Sequence, residues 1–181
     1  MKTIDILRQA LLALAVTFAA GLLFVNVYNS VVDAANWGHN FPNSILAARD
    51  YFSGYDPGRF YRVASPINQL LGLASLILCW KVDRRLRWLC AAAAFFAIAG
   101  DMMTFAYFYP RNDIMFRSAA PLNWDAIRAA HAQWTSMNWV RSGVVGLGLI
   151  NAFLAYSRYF ALRILGIAKS PAAIRLQPSV A

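Results

Sequence analysis

A single arginine inside an otherwise apolar run is the first residue of this chain that calls for chemistry. Arg141 lies in MNWVRSGVVGLGLINAFLAY, which reads as a membrane-crossing helix. A cation about a turn or two inside hydrocarbon must find a partner or a wet cavity, so it marks a candidate site. The other apolar runs carry polar groups at matching depth: Asn26, Asn29 and Asp33 in the first, Asn68 in the second, Asp101 and Thr104 in the third. Their spacing orders them. Trp124, Ile127, His131, Trp134, Asn138 and Arg141 recur every three or four residues, the stripe of one helix face. Asn26, Asn29 and Asp33 repeat that spacing, as do Asp101, Thr104 and Phe108.

Those residue types would suit proton removal coupled to anion stabilisation. A carboxylate such as Asp101, or Asp33 nearer the surface, can take a proton from a hydroxylated aromatic. Arg141 and the amides of Asn26, Asn68 and Asn138 can then hold the resulting oxyanion in a dry setting, where fixed donors act strongly. Asp101, Arg141 and Asn138 are the expected catalytic residues, with Asn26, Asn29, Asp33, Asn68, Thr104, His131 and Trp134 around the substrate. Asp101 and Arg141 are expected to neutralise each other, directly or through the amides. A plainer reading stands beside this one. Asn and Thr in membrane helices often serve only as interhelical glue, worth about 0.6 kcal/mol, and a buried ion pair is weak evidence for stability.

The histidines say less. His39 and His131 could converge with Asp33 or Asp113 on a metal, for which imidazole and carboxylate are suitable ligands. Their spacing matches no metal motif, and a surface histidine and a packed one explain them as well, so no metal is assigned. No histidine lies within a span, which argues against a haem held between two transmembrane histidines.

The elements that must position these groups follow from composition. With 60% hydrophobic and 14% charged residues, the 181-residue chain is too apolar for an ordinary soluble domain. Four runs, at about 7–32, 66–81, 86–109 and 137–159, approach the roughly 20 residues that cross a bilayer core of about 30 Å. The expected fold is all-α: a four-transmembrane-helix antiparallel bundle in one domain over 1–170, with 171–181 a disordered tail. Asn43-Ser44 before ILAARDYF and Asn123 before WDAIRAAHAQWTS predict short capped helices in the two long loops.

The net charge of +9 would suit nucleic acid, but its distribution does not. Lys2, Arg8, Lys81, Arg84, Arg85, Arg87, Arg158, Arg163, Lys169 and Arg175 fall at the termini and the middle hairpin, opposed there only by Asp5 and Asp83. This is a positive-inside pattern that puts both termini in the cytoplasm and the two long loops outside. The partner implied is a lipid bilayer, in a bacterium the inner membrane, and not nucleic acid. Lys2 and Arg8 before LLALAVTFAAGLLF resemble a signal peptide, yet apolar character continues through Val32, so an uncleaved first helix is expected. Cys79 and Cys90 form no CxxC pair and read as packing residues. Trp and Tyr near the span ends form an interfacial belt, some of which could wall a pocket for a flat ligand.

The first helix with Asn26, the second opening Ser65-Pro66-Ile67-Asn68, the third with Asp101 and ending Tyr109-Pro110-Arg111-Asn112, and the fourth opening Trp134-(x3)-Asn138-(x2)-Arg141 together resemble the anthrone oxygenase-like membrane proteins. The resemblance runs over most of residues 8–160, and Asn138-Trp139-Val140-Arg141 is its most specific part. It implies an oxidoreductase that converts an anthrone to an anthraquinone with dioxygen as co-substrate and without an evident cofactor motif. The ligand would be an apolar aromatic small molecule, anthrone- or quinol-like. This chain departs from the characterised fungal members in its long, aromatic first outer loop. The alternative from a different class is a non-enzymatic membrane protein that binds, transports or docks a partner through the same polar mouth.

Overall fold

A single apolar run crosses a membrane as a helix, because a helix satisfies its backbone groups within the segment. The computed structural model describes residues 3–166, and the segment 171–181 lies outside the described residues. Helix α1 (Thr3–Tyr28) continues through a π-helical turn, π1 (Asn29–Asp33), into α2 (Ala34–His39). After α3 (Asn43–Tyr51), α4 (Gly58–Cys79) returns. A hairpin at Asp83 leads to α5 (Arg84–Met103), which runs on as π2 (Thr104–Phe108), α6 (Tyr109–Asn112) and π3 (Asp113–Arg117). The last helix, α7 (Trp124–Ile164), has 41 residues. Among the described residues, four continuous rods are long and apolar enough to span a bilayer, and the protein is an integral membrane protein.

The rods extend past the spans read from hydropathy. The second begins at Gly58 rather than at 66, because Pro66 sits inside it rather than at its start. A membrane helix tolerates the carbonyl that such a proline frees. The fourth begins at Trp124, where the Asn123 side chain accepts a hydrogen bond from the Ala126 N–H at 3.0 Å and caps the helix. At 1.5 Å per residue α7 is roughly 60 Å long, about twice the hydrocarbon thickness. Hydropathy thus marked the lipid-crossing part of a longer helix. In α3 the expected Asn43–Ser44 cap is replaced by a loop clasp, in which the Ser44 hydroxyl donates to the Trp37 carbonyl at 2.7 Å and accepts from the Asn40 N–H at 3.3 Å.

Consecutive rods pack side by side, and α7 closes the ring by packing on both α5 and α1, giving an up-down-up-down bundle around a central axis. Small residues set the approach. A Cβ built on Gly72 would stand 3.3 Å from the Ala94 backbone, and one on Gly148 would stand 3.3 Å from Phe96 Cβ. Close backbone approach through Gly and Ala is the usual means of association in lipid, where apolar burial alone gives no preference. Large apolar side chains such as Phe24, Leu70, Phe95, Ile150 and Phe153 point outward, as a lipid-facing surface requires.

Two apolar clusters hold the ends. At the hairpin end Leu12, Cys79, Leu86, Cys90, Ala155 and Tyr159 pack together, with both cysteines free and buried. Asp83 caps α5 by accepting from the Leu86 N–H at 3.0 Å and takes two hydrogen bonds from Arg158 at 3.2 Å. The hydrogen bonds from Arg158, then that from Leu86, hold the Asp83 carboxyl below its ordinary range. At the loop end Ala34, Trp37, Ile45, Phe108, Met115, Ile127, Ala130 and Trp134 form the other cluster, built from both long loops and the start of α7. It roofs the bundle, and the polar residues of the four rods lie beneath it.

Candidate functional site

The α7 stripe descends unbroken from the roof to Arg141, whose side chain is 5% exposed. Its guanidinium is held by neutral groups. Nη2 donates to Asn138 Oδ1 at 2.7 Å and Nη1 to Thr104 Oγ1 at 3.2 Å. The cation lies 4.0 Å from the centre of the Phe108 ring and 5.3 Å from that of Tyr61, a placement that the quadrupoles of both rings favour. Nε has no partner.

Asp101 is not that partner. Among the described residues no ion pair joins the two charges, and the Asp101 carboxylate instead accepts from Gln69 Nε2 on α4. Asp101 and Thr104 share a face of their rod, yet Thr104 and Phe108 meet Arg141 while Asp101 turns to the neighbouring α4. Of the two expected routes the direct pair is absent, and each charge is met by a neutral amide instead, Gln69 for Asp101 and Asn138 for Arg141. The desolvation of the buried guanidinium is thus offset by hydrogen bonds and aromatic faces rather than by a carboxylate.

Asn26 and Asn138 form a reciprocal clasp between α1 and α7. Asn26 Nδ2 donates to the Asn138 carbonyl at 3.3 Å and to Ser142 Oγ at 2.7 Å. Asn138 Nδ2 answers to the Asn26 carbonyl at 3.0 Å and to Ser30 Oγ at 2.5 Å. Asn138 is 0% exposed and lines neither cavity, and what its Oδ1 meets is the Arg141 guanidinium. The π1 turn lies just above the clasp. One extra residue per turn is a device common at functional sites, and here it carries Asn29, whose Oδ1 accepts from the Tyr61 hydroxyl at 2.8 Å and whose Nδ2 donates to the Asp33 carboxylate.

Two cavities meet at this point. The inner one, about 40 Å³, runs down the bundle axis; Asn26, Ser65, Asn68 and Asp101 lie at its upper part, and Ala15, Ala19, Gly72, Ala97 and Ala152 further down. The outer one, a chamber of about 420 Å³ at the loop end, is walled by Trp37, Phe52, Phe108, Phe116 and Trp134. That volume falls among small-molecule sites, roughly 300–1,000 Å³, and its walls are of the usual aromatic kind. Tyr61, Thr104 and Arg141 line both and form the neck between them.

Of the residues singled out from sequence, Arg141, Thr104, Asn29 and Trp134 face the chamber, and Asn26, Asn68 and Asp101 face the inner cavity. Asp33 and His131 face neither. The His131 Nε2 is 2.8 Å from the Ala34 carbonyl, and a Cβ on Gly38 would stand 2.7 Å from its ring, so it ties α7 to α2. His39, His131, Asp33 and Asp113 do not converge: among the described residues no group of three or more His, Cys, Asp and Glu side chains could hold a metal ion. Tyr61 and Gln69 were missed in the sequence, as were Ser30, Ser142 and Arg49. Tyr61 sits between Phe60 and Arg62, where charge and turn residues read as loop. Gln69 shows its role only through a neighbour 32 positions away.

The profile of the anthrone oxygenase family matches residues 59–151, from the first turn of α4 to the middle of α7. The matched stretch contains Tyr61, Asn68, Asp101, Thr104, Asn138 and Arg141, but not Asn26 or Asn29. No curated protein and no solved structure matches the chain. Covering just over half of the 181 residues, together with a four-rod membrane bundle, the profile places this chain in the anthrone oxygenase family.

Proposed function

We propose that the protein is a membrane oxygenase that takes a flat, hydroxylated, lipid-soluble aromatic of the anthrone or quinol type into the loop-end chamber and oxidises it with dioxygen. The observation that carries this reading is Arg141: a buried cation, held only by neutral acceptors, at the neck of an aromatic-walled chamber. Donors fixed in a dry site stabilise a developing oxyanion more than water does, because they need not reorganise. A phenolate or enolate oxygen at the neck would meet Arg141 there, with Tyr61 and Thr104 beside it.

Asp101 is the proton acceptor in this reading and acts from behind the neck. The inner cavity of about 40 Å³ that it shares with Arg141 has room for a few waters, at about 10–15 Å³ each. A proton leaving the ring carbon or hydroxyl can cross such a chain to the carboxylate. For an anthrone-type substrate the overall change turns a ring methylene and one dioxygen into a ring carbonyl and one water. The carbon supplies all four electrons, one oxygen atom enters the product and the other leaves in water with both methylene hydrogens, so no outside reductant is needed. In this reading the loop end faces outward, with the basic hairpin and both termini in the cytoplasm.

The test is oxygen uptake by the purified protein in lipid nanodiscs with an anthrone and with a hydroquinone, corrected for spontaneous oxidation. Arg141→Lys keeps the charge but loses the planar fork, and Asp101→Asn loses the base. Each is expected to slow turnover by about 100- to 1,000-fold while leaving the protein folded. If the wild type neither consumes oxygen with such compounds nor binds them, or if the variants lose activity only in step with folded protein, the oxygenase reading falls and a binding or transport role replaces it.

A further inference from the structure

The charges around the chamber do not balance. Arg49, Arg62, Arg117 and Arg141 line it against Asp56 and Asp113. Both carboxylates are already engaged by two of those cations. Arg117 reaches Asp56 at 3.2 Å and Asp113 at 3.3 Å, and Arg62 approaches Asp56 at 3.8 Å. Arg49 and Arg141 are left over, and among the described residues neither comes within ion-pair distance of a carboxylate.

The two leftover cations come from different layers. Arg49, half-buried on α3, belongs to the loop layer that roofs the chamber. Its Nη1 donates to the Met115 carbonyl at 2.7 Å and to Ser118 Oγ at 3.3 Å, and its Nη2 donates to the Ser118 carbonyl. Arg141 is set within the bundle at the chamber floor. Neutral acceptors orient a guanidinium without cancelling its charge, so each remains a strong site for an anion. The rings of Trp37, Phe52, Phe108, Phe116 and Trp134 line the same chamber.

We infer that the substrate is an acidic aromatic, with a carboxylate or similarly acidic group seated on Arg49 at the roof while the oxygen that gains charge in the reaction sits on Arg141 at the floor. This rests on the oxygenase reading and adds the class of substrate to it. An aromatic acid lies in a bilayer with its charge at headgroup level and its rings below. Entering the loop end rings first, it meets apolar walls and then Arg141, and its acid group stops at Arg49. A neutral aromatic would leave the roof cation without an anion.

Two probes that differ only at the acid decide this: an anthraquinone carboxylate and the corresponding neutral hydroxymethyl anthraquinone, with binding followed by quenching of tryptophan fluorescence in nanodiscs. The wild type is expected to bind the acid about tenfold or more tightly, with the advantage shrinking as salt is raised. Arg49→Gln should erase the preference and leave the neutral probe unaffected, while Arg49→Lys should keep much of it. Ser118→Asp, which sets a carboxylate beside the Arg49 guanidinium without removing it, should erase the preference as well and serves if Arg49→Gln fails to fold. Equal binding of the two probes by the wild type, or a preference that survives both Arg49→Gln and Ser118→Asp, overturns the inference and leaves the oxygenase reading intact. If neither probe binds and no oxygen is consumed, both fall together.

Discussion

Asn138→Asp tests whether Arg141 is deliberately left without a counterion. In the native protein Asn138 Oδ1 accepts from Arg141 Nη2 at 2.7 Å. A carboxylate there keeps that acceptor and adds a full negative charge. Two unit charges about 4 Å apart at an effective dielectric of about 20 interact by roughly 4 kcal/mol. An anion arriving at Arg141 would meet a neutralised site, and at about 1.4 kcal/mol per factor of ten, affinity should fall by about 100- to 1,000-fold. Stability should change far less. The variant loses the Nδ2 bond to the Asn26 carbonyl, worth about 0.6 kcal/mol in a membrane bundle, and sets a carboxylate oxygen against that carbonyl. The Ser30 hydroxyl can turn to donate to the carboxylate, and the new ion pair with Arg141 offsets the repulsion. Asn138→Ala makes the opposite trade: it loses both interhelical bonds and strips a buried guanidinium of an acceptor, so it should cost about 3 to 4 kcal/mol. The assays are unfolding in detergent and binding of an anionic aromatic to the same preparations. An Asn138→Asp protein that binds the anion as the wild type does would refute the idea that the neutral shell of Arg141 serves the ligand.

Asp83→Ala should lose the α5 cap and about 1 kcal/mol of stability, whereas Asp83→Asn keeps a capping oxygen and loses only the charge that Arg158 engages. Because the folded carboxyl titrates below its ordinary range, the wild-type advantage over Asp83→Asn should be complete above the unfolded value near 3.9 and vanish as pH falls through the lower folded one. An advantage unchanged in strong acid would show that the ion pair contributes nothing. For orientation, Gly54→Cys and Leu122→Cys are expected to react with an impermeant thiol reagent outside intact cells, and Lys81→Cys is not. Labelling at Lys81→Cys from outside would invert the bundle and put the chamber in the cytoplasm.

The sequence carried the fold further than the site because a membrane reduces folding to crossing segments, and crossing segments announce themselves by hydropathy. The stripe from Trp124 to Arg141 was legible for the same reason: one continuous helix carries it, and 3.6-residue periodicity needs only local order. Asn123 was legible as a cap because capping is decided within four residues. Each of these signals is local in the chain.

What periodicity cannot supply is the partner across a helix interface. It put Asp101 and Arg141 at one depth, to be joined either directly or through the amides. The bundle instead gives Asp101 to Gln69 and Arg141 to Asn138 and Thr104. The choice depends on which way each helix is turned about its own axis, and the π turns at Asn29–Asp33 and Thr104–Phe108 reset that rotation where the site is built. No residue type marks a π turn, so neither could be read in advance. His131 shows the same limit in the other direction: it lies on the correct face of α7, but the close passage of Gly38 takes up its ring and makes it a fastening of the roof. In the proposed reading, keeping the carboxylate and the guanidinium apart leaves Arg141 free for a ligand anion at the neck and Asp101 free to accept a proton from the inner cavity behind it. A direct pair would have consumed both.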